Sequence, residues 1–307
     1  MIIERMSSEL ALPREFIKSL ARAASHEYRE YEIPKRTGGT RTVHHPSRRL
    51  KALQRWLLTR VVSALPVHES AAAYRVGRSI LDNAKVHTGS RYLLRMDFTN
   101  FFPSITRLDI KKYIGDRPNL FAGWTVEDIN VFCDLVCRNG ALTIGTPSSP
   151  GLSNAICYDM DVQISTVCSR SQTDYTRYAD DLFFSTNLPN VLQHIEQQVI
   201  QVVSELGLPA HLTINSSKTR HSSKRGARRV TGIVLSSDGR PCIGRKLKRR
   251  IRALIHRYES LDTSARGSLA GLIAFAIGLD PVFMNRLIDK YGLERIRDAM
   301  KRTDIAE

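Results

Sequence analysis

Apolar positions recur along the chain with two periods, and the switches between them mark its elements. Residues 1 to about 30 hold Leu10, Phe16, Ile17 and Leu20 at helical spacing and predict one or two short helices. In residues 30–47, EYEIPKRTGGTRTVHHPS, Tyr31, Ile33, Thr42 and Val43 flank Gly38-Gly39, a hairpin signal closed by Pro46. Residues 50–65 return to the helical period. Residues 91–105, RYLLRMDFTNFFPSI, open as a strand that is apolar from Tyr92 to Met96 apart from Arg95, and break at Pro103. A helix is expected over 126–138. The turn residues of 145–151 precede a helix that Pro150 opens and that runs through Ile164. A polar centre with aromatic flanks predicts a hairpin at 175–186. An amphipathic helix ends at Gly207, and short strands are expected at 210–214 and 229–236. Residues 243–258 place Ile243, Leu247, Ile251, Ile255 and Tyr258 on one helix face, and two or three further helices fill 262–303.

Composition narrows the class. A chain of 307 residues can bury a sizeable core, and 42% apolar with 25% charged residues excludes a disordered one. The longest apolar stretch, Leu269 to Leu279, has 11 residues, against roughly 20 for a membrane span. Glu4, Glu9 and Arg14 interrupt the first turns, so no secretory signal is expected and the location is read as cytoplasmic, with no membrane partner. The five cysteines (Cys133, Cys137, Cys157, Cys168, Cys242) form no C-x-x-C pair and are read as reduced thiols rather than zinc ligands. The net charge of +16 points to a polyanion. It is concentrated: Lys218 to Arg257 carries 14 Lys or Arg against one acid, Asp238. Arg245, Lys246, Lys248, Arg249, Arg250 and Arg252 form a basic helix face suited to nucleic acid.

Two acidic clusters carry candidate chemistry. Asp97 ends an apolar strand, and Asp180-Asp181 sits at a hairpin tip. Adjacent aspartates repel in a tight turn unless a cation compensates, and hard oxygen ligands suit Mg²⁺. With a third carboxylate beside them, a two-metal site can activate an attacking hydroxyl and stabilise a leaving pyrophosphate. The alternative for the dipeptide alone is a solvated turn.

The surrounding motifs decide between these. Tyr178-Ala179-Asp180-Asp181 resembles the Y-x-D-D signature of reverse transcriptases. MDFTNFFPSI (96–105), GTPSSPGLSN (145–154), NSSKT (215–219), RRVTGIVLS (228–236) and the fingers segment 33–55 resemble that family's other motifs, in its order. Asn83-Ala84-Lys85-Val86-His87 and Val230-Thr231-Gly232 are similar to the N-A-x-x-H and V-T-G motifs of bacterial retron reverse transcriptases. Ile144 departs from the family, where Gln is frequent.

The resemblance implies an α+β right-hand polymerase with fingers, an antiparallel-sheet palm with helices, and a helical thumb. The expected division is an N-terminal helical extension (1–30), fingers and palm (31–236) and an RNA-binding thumb (237–307). It assigns Asp97, Asp180 and Asp181 to catalysis and metal binding, with the Phe98 carbonyl as a further ligand. Lys35, Arg41, Gly145 and Lys218 are placed at the nucleotide, the last as a candidate acid for pyrophosphate. Phe102 matches the steric gate against a 2′-hydroxyl, with core packing as its alternative. Tyr178, Val230, Thr231 and Gly232 fall to primer and template. Asn83 and His87 are either an internal capping or core pair or an RNA contact, and Arg245, Lys246, Arg249 and Arg250 are expected on RNA. The implied cofactors are Mg²⁺ and deoxynucleoside triphosphates. The implied partners are a cognate noncoding RNA, the branched RNA–DNA product (multicopy single-stranded DNA), a host RNase H, since the chain reads as too short to add that domain, and a defence effector protein. Another bacterial class of reverse transcriptase, or a non-catalytic RNA-binding scaffold, are the alternatives.

Overall fold

The computed structural model describes residues 1–35 and 38–301. Arg36, beside the candidate Lys35, and the expected last helical residues 302–303 lie outside them. Helices α1 (Ile2–Leu10) and α2 (Arg14–Arg22) lead into the antiparallel ribbon of β1 (Tyr28–Pro34) and β2 (Thr40–Pro46). Its register pairs Tyr28 with Pro46 and Pro34 with Thr40. Gly38 and Gly39 close it at φ of 93° and 76°, a region that side chains disfavour. There follow α3 (Arg48–Arg60), α4 (Ile80–Val86), β3 (Tyr92–Asp97), α5 (Arg107–Gly115), α6 (Val126–Val136), α7 (Ser148–Ile156), α8 (Tyr158–Arg170), β4 (Asp174–Tyr178), β5 (Asp181–Thr186) and α9 (Val191–Ser204). The chain ends with β6 (Arg220–Ser223), β7 (Arg228–Val230), β8 (Ile233–Leu235), β9 (Pro241–Cys242), α10 (Arg245–His256), α11 (Thr263–Leu279), α12 (Pro281–Tyr291) and α13 (Leu293–Met300).

Helix starts are written locally. Ser79/Asp82, Thr106/Asp109 and Thr125/Asp128 form capping boxes at α4, α5 and α6, each satisfying two backbone donors. Two of these aspartates also reach further. Asp128 accepts from the Ile3 N–H at 3.1 Å, and Asp109 from the Ala210 N–H at 2.9 Å.

The central sheet has the order β4-β5-β3-β6, with β4 and β5 antiparallel. Every residue of β5 from Leu182 to Thr186 is buried, and α8 and α9 pack against β4 and β5. A separate sheet, β7-β8-β9, carries α4. Two compact units result: residues 1–78 with 94–221, and residues 79–93 with 222 onward. The second unit begins earlier than the sequence division at 236/237 and takes in α4. Among the described residues no helix is long and apolar enough to cross a membrane.

Four expected elements differ. The helix of 150–164 is two, broken at Cys157, and Pro150 sits in the first turn of α7, where a missing N–H costs nothing. Residues 210–214 form no strand: Pro209 has no N–H, that of Ala210 is spent on Asp109, and only Ile214 bridges, to Phe98. Residues 229–236 are a hairpin rather than a strand, because Thr231 and Gly232 both adopt positive φ (47° and 86°) and form its two-residue turn. Helix α9 stops at Ser204, short of Gly207.

Candidate active site

β3 buries Leu93, Leu94, Met96 and Asp97 itself. A buried carboxylate needs compensation. Asp97 finds it in Lys218, whose Nζ lies 2.6 Å from its Oδ1. Lys218 arrives on the short turn Ser216–Lys218, fixed because the Asn215 N–H donates to the Asp97 carbonyl at 2.8 Å. The second acidic motif is tied to the first through backbone. Tyr178 pairs with Asp181 across the hairpin, Ala179 turns it at φ 58°, and the Asp180 carbonyl accepts from the Phe98 N–H at 3.0 Å. The three sequence-predicted carboxylates and Lys218 are therefore one cluster.

A cation that sequence reasoning gave no role completes it. Arg95 Nε and Nη2 donate to Asp181 Oδ1 at 3.0 and 2.7 Å, and Nη2 stands 4.0 Å from Asp97 Oδ2. The signal was present, since Arg95 is the one charge inside an apolar strand. Burial pushes the Asp181 carboxyl up to about 6; Arg95 opposes the shift, and Asp180 and Asp97 add to it. Burial also raises Asp180, reinforced by the Asp97 charge and opposed by its backbone hydrogen bond, Lys218 and Arg41.

Such a donor set fits a hard divalent cation: oxygen ligands only, and carboxylates whose ionised forms destabilise one another until a positive charge arrives. Among the described residues no three His, Cys, Asp or Glu side chains already converge as a finished metal cage. The positive charge at the carboxylates is that of Arg95 and Lys218, which are 44% and 55% exposed and so can swing into water.

Phe102 is half-buried, while Phe101 beside it is buried. The rings of Phe98, Phe101 and Phe102 are neighbours, 5.6 and 5.4 Å apart in sequence order. Arg41, exposed on β2, lies within electrostatic reach of Asp180, and Lys35 is exposed where the ribbon turns. Tyr178 is half-buried at the end of β4. Gly145 is required by the ribbon: at φ 106° a Cβ would stand 2.5 Å from the His44 carbonyl oxygen and 2.8 Å from Val43 Cγ1. The Ile144 carbonyl accepts from the His44 N–H at 2.9 Å, and Thr143 Oγ1 meets His44 Nδ1 at 2.7 Å.

Below the acidic hairpin lies a network that the motifs did not announce. Arg177 is fully buried, and its Nε and Nη2 donate to Asp161 at 2.9 and 2.7 Å. Its Nη1 donates to Asn154 Oδ1 at 3.1 Å and to the Ala179 carbonyl at 3.4 Å, and Tyr175 donates to Asp161 at 2.8 Å. Burial opposes the charge of Arg177, but Asp161 outweighs it and holds the guanidinium above its ordinary pKa. Asn154 lies in the GTPSSPGLSN motif, so one half of this link was in view.

In the second unit, Asn83 and His87 are 2% and 0% exposed. Burial pushes His87 down to about 3, so the imidazole is neutral at pH 7. Both side chains lie inside the unit, and among the described residues Asn83 Nδ2 and Oδ1 have no hydrogen-bond partner. Val230 is likewise buried, leaving Thr231 and Gly232 at the hairpin turn, where Thr231 Oγ1 donates to the Ile80 carbonyl at 3.3 Å. Arg245, Lys246, Arg249 and Arg250 are exposed on α10. The basic face is narrower than the sequence suggested. Lys248 turns inward to Asp280 at 2.6 Å, and Lys248 and Arg252 both lie over the Phe283 ring. All five cysteines are free, and only Cys242 is not buried.

Residues 33–235 match the family described as reverse transcriptase (RNA-dependent DNA polymerase). The chain is 36% identical to the Retron Ec83 reverse transcriptase of Escherichia coli, over 92% of this chain and 93% of that one. It is 31% identical to the Retron Ec86 reverse transcriptase of the same species over 96% and 92%, and 34% identical to the Retron Mx162 reverse transcriptase of Myxococcus xanthus over 84% and 59%. The chain belongs to the retron-type reverse transcriptases. This reverse transcriptase is accordingly an RNA-directed DNA polymerase, and the scaffold alternative falls away. Its fold is the α+β polymerase fold. Apo telomerase from Candida tropicalis superposes with a TM-score of 0.51 at 11% identity, over 91% of this reverse transcriptase and 64% of that chain. Telomerase from Candida albicans gives 0.50 at 12%, over 90% and 61%. This reverse transcriptase spans about three fifths of those telomerase chains.

Proposed function

We propose that this retron-type enzyme binds its own structured noncoding RNA and extends DNA from the 2′-hydroxyl of an internal guanosine, giving a branched RNA–DNA molecule. The observation that supports the reading is the neighbourhood of Asp97, Asp180 and Asp181, whose charges act on one another, with β3 tied to the acidic hairpin by the Phe98–Asp180 backbone bond and Lys218 on Asp97. Asp97, Asp180, Asp181 and the Phe98 carbonyl would hold Mg²⁺, which when bound supplies charge neutralisation at the phosphates and a more acidic attacking hydroxyl. Lys218, 2.6 Å from Asp97, donates a proton to departing pyrophosphate once a triphosphate draws it off the carboxylate. Arg41 and Lys35 bind triphosphate oxygens from the ribbon. The Phe102 ring stands under the sugar and excludes a 2′-hydroxyl. Tyr178, Thr231 and Gly232 support primer and template, and the exposed arginines of α10 take RNA phosphates. Residues 1–30 are the helical extension, 31–236 the fingers and palm and 237–307 the thumb. A host RNase H removes template RNA, and the system acts in the cytoplasm against phage with an effector protein.

The test is expression with native flanking DNA, followed by RNase and debranching-enzyme treatment and a denaturing gel. A small DNA whose mobility shifts on debranching, and which disappears in Asp180→Ala/Asp181→Ala while RNA binding persists, is the expected result. Activity on a generic primed RNA template without such a species would refute priming from a 2′-hydroxyl.

A further inference from the structure

Tyr74 is the aromatic residue of the site that no motif above assigns. Its backbone is held at φ 60°, which is rare and costly for a bulky side chain and so demands a reason. Its surroundings over-determine that conformation. The Ala72 N–H donates to the Arg177 carbonyl and the Arg177 N–H to the Ser70 carbonyl, both at 2.7 Å, while Asn154 Nδ2 donates to the Ala73 carbonyl at 2.8 Å. Asn154 in turn accepts from Arg177. Residues 70–73 are therefore riveted to the strand that ends in the acidic hairpin, and Tyr74 is the next residue along.

The ring so placed meets Phe102, with centroids 6.5 Å apart and planes tilted by 42°, within the range of favourable aromatic pairs. It extends the series Phe98–Phe101–Phe102 by one member. Tyr74 is also near the chemistry. Burial raises its hydroxyl pKa, and the Asp180 charge is the next contribution. Phe102 thus has two ring neighbours, buried Phe101 and the half-exposed Tyr74.

We infer that Tyr74 is a positioning residue that braces the Phe102 ring and so sets how strongly the nucleotide pocket rejects a 2′-hydroxyl. The inference rests on the proposed role of Phe102 as the gate. A ring free to rotate yields space to one extra oxygen, whereas a ring held between neighbours yields less. The strained φ is what aims the tyrosine, which explains why the backbone tolerates it.

The experiment compares dUTP with UTP in single-nucleotide incorporation by the full chain on poly(rA) primed with oligo(dT). Tyr74→Gly removes the ring and accepts the positive φ, Tyr74→Phe keeps the ring, and Phe102→Val tests the gate itself. Tyr74→Gly should lower the ratio of kcat/KM for dUTP over UTP by at least about tenfold, with Tyr74→Phe within about twofold of wild type. Where turnover is too slow, the binding ratio of dUTP over UTP to the complex with a dideoxy-terminated primer reads the same preference. If Phe102→Val lowers the ratio and Tyr74→Gly depresses both nucleotides equally, the bracing role is wrong. If Phe102→Val leaves the ratio unchanged, the gate reading falls and the inference with it.

Discussion

The Asp161–Arg177 pair offers a quantitative check on what holds the acidic hairpin in place. Both side chains are fully buried, and Asp161 is the counter-charge of Arg177. Asp161→Ala strands a guanidinium away from water and releases the Tyr175 hydroxyl. The expected cost is about 3–5 kcal/mol, out of a total that for a domain is about 5–15 kcal/mol. At about 2–4 °C per kcal/mol for a chain of this size class, the melting temperature falls by roughly 6–20 °C. Asp161→Leu/Arg177→Met removes both charges and keeps the volume. It leaves Tyr175 Oη and Asn154 Oδ1 without their partners, each worth about 1–3 kcal/mol, so adding Tyr175→Phe recovers part of the loss. Urea denaturation of the set, analysed as a double-mutant cycle, should give a coupling energy above about 2 kcal/mol between positions 161 and 177. Nucleotide incorporation should fall in the double variant even where it folds, because the Ala179 carbonyl loses its donor at 3.4 Å. A cost below about 1 kcal/mol for Asp161→Ala, or additive effects, would refute the buried-pair account.

Three further outcomes follow from single contacts. Gly145→Ala forces a Cβ into the His44 carbonyl at 2.5 Å; it should cost on the order of 2–4 kcal/mol in urea denaturation and raise KM for nucleotide, and a neutral effect would sever the loop from the ribbon. His87 sits near pKa 3 in the fold and near its ordinary value when unfolded, so its contribution is full above about pH 6.5 and is lost as pH falls, at up to about 1.4 kcal/mol per pH unit. His87→Gln should flatten that part of the stability–pH curve, and an unchanged slope would place the imidazole in water. Arg249→Glu/Arg250→Glu should weaken RNA binding and reduce its dependence on salt concentration; an unaltered isotherm across salt would remove α10 from the interface.

What was legible in the sequence was short-range. The ribbon, the acidic hairpin and β3 are each specified by turn residues and periodicity within about a dozen positions, and the site carboxylates sit on them. What was not legible depends on positions far apart. Nothing near Gly145 says that its Cβ would meet a carbonyl at position 44, and Asp161 and Arg177 become partners only when α8 lies on β4. The Thr231-Gly232 turn escaped because threonine is a poor prior for positive φ. Lys248 and Arg252 were available from helical phase. Lys248 stands three residues before Ile251 and Arg252 three before Ile255, on the side that α10 buries, and counting charges without phase put them on the RNA face.

The site divides its tasks between backbone and side chain. Backbone hydrogen bonds from Phe98 to Asp180 and from Asn215 to Asp97 fix where the three carboxylates start, and the Asp161–Arg177–Asn154 network fixes the turn beneath them. The compensating cations are instead long, half-exposed side chains. Asp97 and Asp181 are only 5% and 20% exposed, so withdrawing Lys218 or Arg95 leaves a carboxylate that needs a replacement positive charge. On the proposed function, an arriving metal and triphosphate would supply that charge, so that the backbone geometry persists and only the counter-charge is exchanged.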